Sequence, residues 1–326
     1  MSKPILIIQH APHEPPGILI RMLESQGTQY LWICPYNGEK YPDVANISGL
    51  ISLGGPMSAN DETSHDWIKP ECILLKNSIR AGLPVTGICL GGQLIAKALG
   101  GSVEKNHTAE LGWHRIFLTK IGLMDPILSA AGNDPLVYHW HNDTFLLPPD
   151  GELLARSEAC ERQAFRIGEA AYAFQFHPEA DAQLVYQWLS AQETDDEIRR
   201  AIKANNERSV QDQITQRYYT STGEQSSLRI TAAIGALFRD KPSTRLDPAI
   251  VQIAEEAQTG NADVLLTFHG SGGLGVGLTG KITGSFILSS FKFLVFQDEK
   301  NSLWPIRLDD VTGLKLISKD LTQALK

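Results

Sequence analysis

The chain has 326 residues, of which 42% are hydrophobic and 20% charged, so it is long enough to bury one large core or two ordinary ones. Its formal net charge of −8 argues against a general nucleic-acid-binding protein. The first apolar run is far too short for a secretion signal, and no stretch approaches the about 20 apolar residues of a membrane helix. We therefore expect a cytoplasmic protein that binds neither nucleic acid nor a membrane.

The four cysteines lie far apart in the sequence and form no C-x-x-C pair. This spacing predicts neither a disulfide framework nor a zinc site, and it fits a reducing compartment. The four are Cys34, Cys72, Cys89 and Cys160.

Strands and helices alternate through the first hundred residues. Apolar runs predict the strands, and apolar residues at helical spacing predict the helices that follow them. The predicted strands are 5–8, 30–34, 49–53 and 85–88, and the predicted helices are 17–26, 67–80 and the segment after residue 89. This alternation predicts an α/β fold with a mostly parallel open sheet and helices on both of its faces.

From residue 110 the pattern changes to shorter strand-like pieces, separated by turns rich in glycine, proline and aspartate. The pieces are 113–118, 136–140, 153–157, 163–167 and 171–176. A helix is predicted after Pro178, ending near Ala191. The polar sequence beyond it predicts an exposed helical connector, with a plain solvated surface as the simpler interpretation.

The last hundred residues predict a separate, small, β-rich α+β domain. Asp247 and Pro248 predict the start of a helix that ends near Ala257, and strand-like sequence follows it. Residues 275–281 read G-V-G-L-T-G-K, which fits most of a phosphate-binding loop, but Ile282 replaces the required Ser or Thr. We favour a flexible glycine-rich loop at this point. The predicted domains are 1–190, the connector 191–226, and 227–326.

Cys89 lies at a predicted strand-to-helix turn. Gly87 and Gly91 bracket it as G-x-C-x-G, the thiol version of a nucleophile elbow, in which glycines let the chain bend and expose the central side chain. A helix N-terminus favours the thiolate, and the N–H of Leu90 could stabilise an oxyanion beside the sulfur. The structural alternative is a small core cysteine between two convenient glycines.

Candidate partners for a cysteine nucleophile lie elsewhere in the sequence. His177, at the end of the last predicted strand, is the candidate base, and Glu179 is close enough to orient its imidazole. A second oxyanion donor would come from Gly54 or Gly55, where no side chain blocks close approach. A lone histidine at a strand end is more often structural, so the histidine gains weight only from the joint occurrence of these features.

Three spaced motifs resemble the class I glutamine amidotransferases, the triad family whose glutaminase module feeds ammonia to synthetases such as GMP synthase. The motifs are S-L-G-G-P-M-S, G-I-C-L-G-G-Q and F-Q-F-H-P-E, in the family's order. The resemblance implies a flavodoxin-like sheet, with Cys89 as the nucleophile and His177 and Glu179 as the other triad members. It also implies that Gly55 and Leu90 donate to the oxyanion.

The same resemblance, which covers about residues 5–190, implies substrate contacts from Gly54, Gln93 and Asp143, the last of them to the α-amino group of glutamine. Without the motifs, Gln93 would be interpreted as an exposed helix residue and Asp143, in H-N-D-T, as a turn former. The segment E-L-G-W at 110–113 also resembles a family segment that lines the site.

Chemically, the resemblance implies hydrolysis of the side-chain amide of L-glutamine through a γ-glutamyl thioester, without a metal or an organic cofactor. Nothing after Ser190 resembles a synthetase, so we expect the ammonia acceptor to be a separate enzyme. Two alternatives stay open. One is a stand-alone γ-glutamyl amide or peptide hydrolase with the same triad, and the other is a non-catalytic binding module.

Overall fold

The computed structural model describes residues 3–132, 135–190, 217–238, 263–269, 275–288, 291–298, 303–307 and 311–316. Its internal contacts divide the chain into two units, one of residues 1–17 and 30–230, the other of residues 18–29 and 231–326. The α-helices of the described ranges are α1 (Ile18–Ser25), α2 (Ile68–Arg80), α3 (Leu90–Ala98), α4 (Ala182–Ser190) and α5 (Arg217–Leu237). None of them is both long enough and apolar enough to cross a membrane.

The first unit contains a mixed sheet of eight strands. The strands are β1 (Ile5–Ile8), β2 (Tyr30–Ile33), β3 (Gly49–Ser52), β4 (Val85–Ile88), β6 (Phe117–Leu118), β8 (Glu152–Arg156), β9 (Ala164–Ile167) and β10 (Ala171–Phe174). Their spatial order is β2-β1-β3-β4-β10-β9-β8-β6. The first five of this order run parallel, and the other three add antiparallel pairs. The prediction of a mostly parallel α/β sheet is confirmed.

Burial along the strands explains why the apolar runs were informative. Every residue of β1, β3, β4 and β10 is buried, whereas the edge strand β2 is half exposed. Interior parallel strands are covered on both faces and therefore need continuous apolar sequence. Side chains of α2 and α3, such as Leu75 and Leu94, pack with Leu6 and Leu50 of the sheet in one core.

A long antiparallel hairpin, β5 (Ser102–Arg115) with β7 (Leu136–Leu146), stands apart from the eight-stranded sheet. The sequence predicted only short strand-like pieces here, 113–118 and 136–140; these residues are largely in strands, but the predicted lengths were wrong, because 102–112 and 141–146 were missed. Residues 102–109 are mostly polar and partly exposed, so they carry no apolar alternation. The pairing with β7 gives them their strand conformation, with a register shift between Lys105 and Glu110.

The second unit contains a five-stranded antiparallel sheet with the order β14-β13-β12-β11-β15. Its strands are β11 (Asp263–His269), β12 (Gly275–Leu288), β13 (Phe291–Asp298), β14 (Leu303–Arg307) and β15 (Val311–Leu316). This arrangement confirms a β-rich C-terminal region. The flexible loop expected at 275–281 was wrong, because this segment pairs with β11 as part of β12. The glycines of this segment do not interrupt the pairing of β12 with β11.

Two other expectations involve residues outside the described ranges. The helix expected at 247–257 lies entirely outside them, as does the connector between 191 and 216. The last part of the expected connector, 217–226, is helical and begins α5. The domain boundaries at 190 and 226 stay a prediction.

Candidate active site

The turn between β4 and α3 carries Cys89. Among the described residues, Cys89 is the only non-glycine residue with positive φ, at 50°. Its N–H donates to the carbonyl of Phe174 on the neighbouring strand at 2.7 Å, which holds this strained conformation in place. Only 7% of Cys89 is exposed. The local geometry is that of a nucleophile elbow, in which a sharp turn presents one side chain.

The glycines of the G-x-C-x-G motif are required by close packing. A Cβ on Gly87 would overlap the backbone of Gly91, and a Cβ on Gly91 would overlap the carbonyl of Ser52. The helix N-terminus thus approaches β3 and β4 more closely than any side chain would allow. This packing fixes the position of the intervening cysteine.

His177 and Glu179 follow β10 and lie beside this turn. The N–H of His177 donates to the carbonyl of Tyr138 at 2.8 Å, and its Nδ1 lies 2.7 Å from Oε1 of Glu179. The Cys89 sulfur is close enough to the same imidazole to help raise its pKa, and it also lies 3.8 Å from the carbonyl oxygen of Trp140. Because Nδ1 is engaged by Glu179, Nε2 is the nitrogen left for the sulfur. The structure therefore brings cysteine, histidine and glutamate together at one site, with the imidazole and the carboxylate hydrogen-bonded to each other.

The charge state of His177 follows from these contacts. Burial disfavours the imidazolium, but the charge of the Glu179 carboxylate, its hydrogen bond to the ring and the nearby Cys89 sulfur outweigh burial, so the pKa of His177 lies well above its usual value. The ring also packs edge-on against Trp188, with 4.9 Å between ring centroids. The structure therefore places a positively charged imidazole next to the sulfur of Cys89.

A cavity of about 150 Å³ opens at the cysteine. Five of the residues expected at the site line it: Gly55, Cys89, Gln93, Asp143 and His177. The remaining lining residues are His13, Glu14, Pro56, Met57, Ser58, Lys105, Trp140, His141, Asn142 and Trp188. The sequence analysis thus identified five of the residues that line the cavity. It missed the tryptophans Trp140 and Trp188 and charged residues such as Glu14 and Lys105.

Three expected residues lie just behind the cavity surface. Glu179 is buried behind His177, and Leu90 is the first residue of α3, where a backbone N–H has no partner within its own helix. Gly54 lies so close to the site that a Cβ there would be 3.0 Å from Cε1 of His177 and 2.8 Å from Oε2 of Glu14. A larger residue at this position would displace one of those side chains.

Gln93 is buried, which rules out its interpretation as an exposed helix residue. Its Nε2 donates to Oε1 of Gln175 at 3.3 Å, and Nε2 of Gln175 lies 3.7 Å from the Cys89 sulfur. Gln175 belongs to the motif F-Q-F-H-P-E, but the sequence analysis assigned it no role. Its place in the same motif as His177, two residues away, was the signal that could have identified it.

Asp143 lies within β7, so it is not a turn former. Its carboxylate accepts a hydrogen bond from the hydroxyl of Ser58 at 2.7 Å and pairs with Lys105 Nζ at 2.6 Å. The Lys105 side chain is 79% exposed, whereas that of Asp143 is 12% exposed. The Asp143 carboxylate is therefore largely buried and held by Ser58 at the cavity, whereas the ammonium group of Lys105 belongs to a mostly exposed side chain.

The segment 110–113 was expected to line the site, and this was wrong: it lies behind the cavity wall. Glu110 lies 3.1 Å from Nε2 of His141, which does line the cavity. Glu110 also accepts hydrogen bonds from Ser157 Oγ at 2.7 Å and Gln163 Nε2 at 2.5 Å. Burial opposes its ionisation, but the hydrogen bonds with His141 and Ser157 lower the pKa of Glu110 to about 2.

Within the described residues, the one group of side chains with the composition of a metal site is Glu110, His139 and His141, whose ligand atoms lie within 4.8 Å of one another. Imidazole and carboxylate groups suit transition metals. However, each oxygen of Glu110 already accepts a hydrogen bond from a protein side chain. The cluster is therefore satisfied as a buried polar network of protein groups, and we assign it no ion.

Comparisons with known proteins agree with this geometry. The family model for glutamine amidotransferase class-I matches residues 18–187. The chain is 35% identical to the glutamine amidotransferase-like protein YfeJ of Salmonella typhimurium over 55% of this chain and 76% of that protein. It is 31% identical to a glutamine-hydrolysing GMP synthase subunit of Sulfolobus acidocaldarius over 50% of this chain and 82% of that protein.

A solved structure of a glutamine amidotransferase has a similar fold. A glutamine amido transferase from Methylobacillus flagellatus superimposes with a TM-score of 0.64 at 26% identity, covering 75% of this chain and 99% of that one.

Proposed function

The chain belongs to the class-I glutamine amidotransferase family, and from this premise we propose that it hydrolyses the side-chain amide of L-glutamine and releases ammonia. The observation that supports the proposal is that Cys89 and His177 line one cavity and that the His177 imidazole is hydrogen-bonded to Glu179 at 2.7 Å. A thiol, a base and a carboxylate that orients the base are the groups that cysteine hydrolases need.

In the first half of the reaction, the Cys89 thiolate attacks the amide carbon of glutamine and a C–S bond forms. His177 is the group that took the thiol proton. It returns that proton to the amide nitrogen, the C–N bond breaks, and ammonia leaves a γ-glutamyl thioester. Glu179 keeps the imidazole in the correct orientation and stabilises its charged form.

The carbonyl oxygen of glutamine becomes negatively charged during this attack. We assign its stabilisation to the N–H groups of Gly55 and Leu90, one at the cavity and one at the N-terminus of α3. In the second half of the reaction, His177 removes a proton from water, the resulting hydroxide attacks the thioester, and the C–S bond breaks. Glutamate then leaves and the cysteine is restored.

Substrate contacts follow from the charges at the cavity. The Asp143 carboxylate can pair with the α-ammonium group of glutamine. The Gln93 amide lines the cavity and is hydrogen-bonded to Gln175, whose own amide lies 3.7 Å from the Cys89 sulfur. Gly54 permits close approach to His177. Hydrogen-bond donors and acceptors of this kind fix a polar substrate in one orientation.

We further propose that the released ammonia serves a separate synthetase. The relative from Sulfolobus acidocaldarius is one subunit of a GMP synthase, which supports a two-chain arrangement for this family member as well.

The test is ammonia and glutamate release from L-glutamine by the wild-type chain and by Cys89→Ala, alone and with candidate synthetases. We expect the variant to lose activity by at least about 10³-fold, because the thioester cannot form. Cys34→Ala is the matched control, since Cys34 does not line the cavity and the variant should keep full activity. A wild-type chain that releases no ammonia under any of these conditions contradicts the proposal, as does activity retained without the cysteine. Faster hydrolysis of larger γ-glutamyl amides would instead identify a γ-glutamyl hydrolase.

A further inference from the structure

The peptide unit between Gly54 and Gly55 has no side chain to hold it. Gly55 lines the cavity, and its N–H belongs to the same planar trans unit as the Gly54 carbonyl, so the two groups point in opposite directions. Two successive glycines let such a unit rotate at little conformational cost. Whatever fixes the direction of the Gly54 carbonyl therefore also fixes the direction of the Gly55 N–H.

His10, which follows β1, contacts this carbonyl from the protein interior. Its side chain is fully buried and stacks on Trp67, with 4.9 Å between ring centroids. Nδ1 of His10 lies 3.1 Å from the Gly54 oxygen. A carbonyl oxygen can only accept a hydrogen bond, so the contact is favourable only when Nδ1 carries a hydrogen.

The other nitrogen of His10 faces Glu71 on α2. Nε2 lies 3.0 Å from both carboxylate oxygens, and the hydroxyls of Tyr41 and Ser52 also donate to this carboxylate, at 2.8 Å and 2.7 Å. Nε2 is therefore a donor too, and with both nitrogens donating the ring is an imidazolium. Burial opposes that charge, but Glu71 and the backbone acceptors raise the pKa of His10 above its usual value.

We infer that His10, held by Glu71, is a positioning residue that fixes the Gly54–Gly55 peptide with the Gly55 N–H directed away from the protein interior and toward the cavity. This inference rests on the proposed function, in which that N–H stabilises the oxyanion. A neutral His10 that donated only to Glu71 would present a lone pair to the Gly54 oxygen, and the glycine peptide would turn. The imidazolium prevents that rotation.

Two substitutions separate the two contacts of His10. In His10→Asn the amide nitrogen can occupy the place of Nδ1 and donate to Gly54, whereas in His10→Gln it reaches the place of Nε2 and donates to Glu71. We expect His10→Gln to lower kcat about 10²-fold, the usual effect of losing one oxyanion donor, with KM little changed. His10→Asn should keep most of the activity. A residue that only stabilised the buried carboxylate would give the reverse order.

Alkylation of Cys89 by iodoacetamide is the internal control, because that displacement forms no oxyanion. Its rate should be the same in His10→Gln and in the wild-type chain. If His10→Gln does not fold, His10→Leu takes its place, since an apolar side chain donates to neither partner, and kcat should then fall about as much as expected for His10→Gln. Tyr41→Phe leaves the His10 contacts in place and should keep kcat.

Crystal structures of the two His10 variants test the inference without any activity. We expect the Gly54 carbonyl to be rotated in His10→Gln and to keep its direction in His10→Asn. An unrotated peptide in His10→Gln, or equal loss of kcat in both variants, overturns the inference. If the wild-type chain releases no ammonia, the proposed function fails, and the direction of the peptide still decides the role of His10.

Discussion

Two buried histidines, His139 on β7 and His177 after β10, have opposite charge preferences. Both are almost completely shielded from solvent, and burial disfavours the charged form of both. The pKa of His177 nevertheless lies well above its usual value, because Glu179 is hydrogen-bonded to it at 2.7 Å. The pKa of His139 falls to about 3, because its Nδ1 is 3.8 Å from Glu110 and neither ring nitrogen has a hydrogen-bond partner among the described residues.

The difference shows that burial does not by itself decide the charge of a histidine in this protein. A carboxylate in direct hydrogen-bonding contact outweighs desolvation, whereas one that lies at 3.8 Å instead of 2.7 Å, and that already accepts hydrogen bonds from Ser157 and Gln163, does not. The chain therefore places a positive charge next to Cys89 and keeps His139 neutral in the layer behind the cavity. A thiolate-based reaction benefits from the positive charge beside the sulfur.

Replacing Glu179 with Gln should remove the difference in charge between His177 and His139 most directly. His177 then loses its carboxylate partner, and burial should leave it neutral, as it leaves His139. We expect kcat for ammonia release to fall about 10³-fold, as orientation and charge of the base are both lost. Cys89 should also react more slowly with iodoacetamide at neutral pH, because a neutral imidazole favours the thiolate less. Steady-state assays and alkylation rates measure the two effects.

Glu161→Gln is the matched control for that substitution, since it makes the same chemical change at an exposed carboxylate. It should leave both rates unchanged. Wild-type alkylation in Glu179→Gln would mean that the carboxylate does not control the charge of His177, and the contrast with His139 would then have another cause.

The neutral state of His139 predicts an acid-sensitive fold. Between pH 6.5 and about 3 the unfolded chain binds a proton at this residue and the folded chain does not, so the free energy of unfolding falls as the pH falls. At pH 4 the loss should be on the order of a few kcal/mol. Above pH 6.5 the raised pKa values of His10 and His177 act in the opposite direction, so stability also falls as the pH rises.

Urea unfolding at a series of pH values measures this effect. His139→Phe should flatten the dependence between pH 6.5 and 4.5, above the range where Glu110 titrates, and leave the alkaline side unchanged. His107→Phe makes the same change at an exposed histidine and should keep the wild-type slope. An equally steep acid side in His139→Phe would show that His139 is not the group that takes up the proton.

The sequence predicted the part of the site that depends on local structure. The turn at Cys89 was readable because its glycines are required by contacts with residues only a few positions away or on the adjacent strand. The strands β1 and β4 were readable because each is completely buried and therefore continuously apolar. His177 and Glu179 could be predicted as a pair because one short motif holds both, and their side chains lie 2.7 Å apart.

The missed part depends on pairing between distant segments. Glu110 meets His141 only because β5 and β7 pair in one register, and polar sequence gives no periodic signal for such a hairpin. Gln175 contacts the sulfur through tertiary structure as well. The prediction of a loop at 275–281 also failed because of pairing between segments. The glycines suggested a loop, but hydrogen bonding to β11 makes the segment part of a strand.

The smallest effect is expected at an exposed ion pair, which contrasts with the buried pair of His177 and Glu179. Lys105 pairs with Asp143 at 2.6 Å, but its side chain is 79% exposed, so the pair is screened by solvent. Lys105→Ala should lower KM for glutamine by no more than about fivefold, because the substrate ammonium no longer competes with the lysine for Asp143, and kcat should not change. Lys69→Ala is the control, since Lys69 is 71% exposed and pairs with Glu62, which does not line the cavity. A rise in KM would contradict the prediction and indicate that Lys105 binds the substrate carboxylate. A large fall in kcat would mean that an exposed charge controls the chemistry as strongly as the buried Glu179 is expected to do.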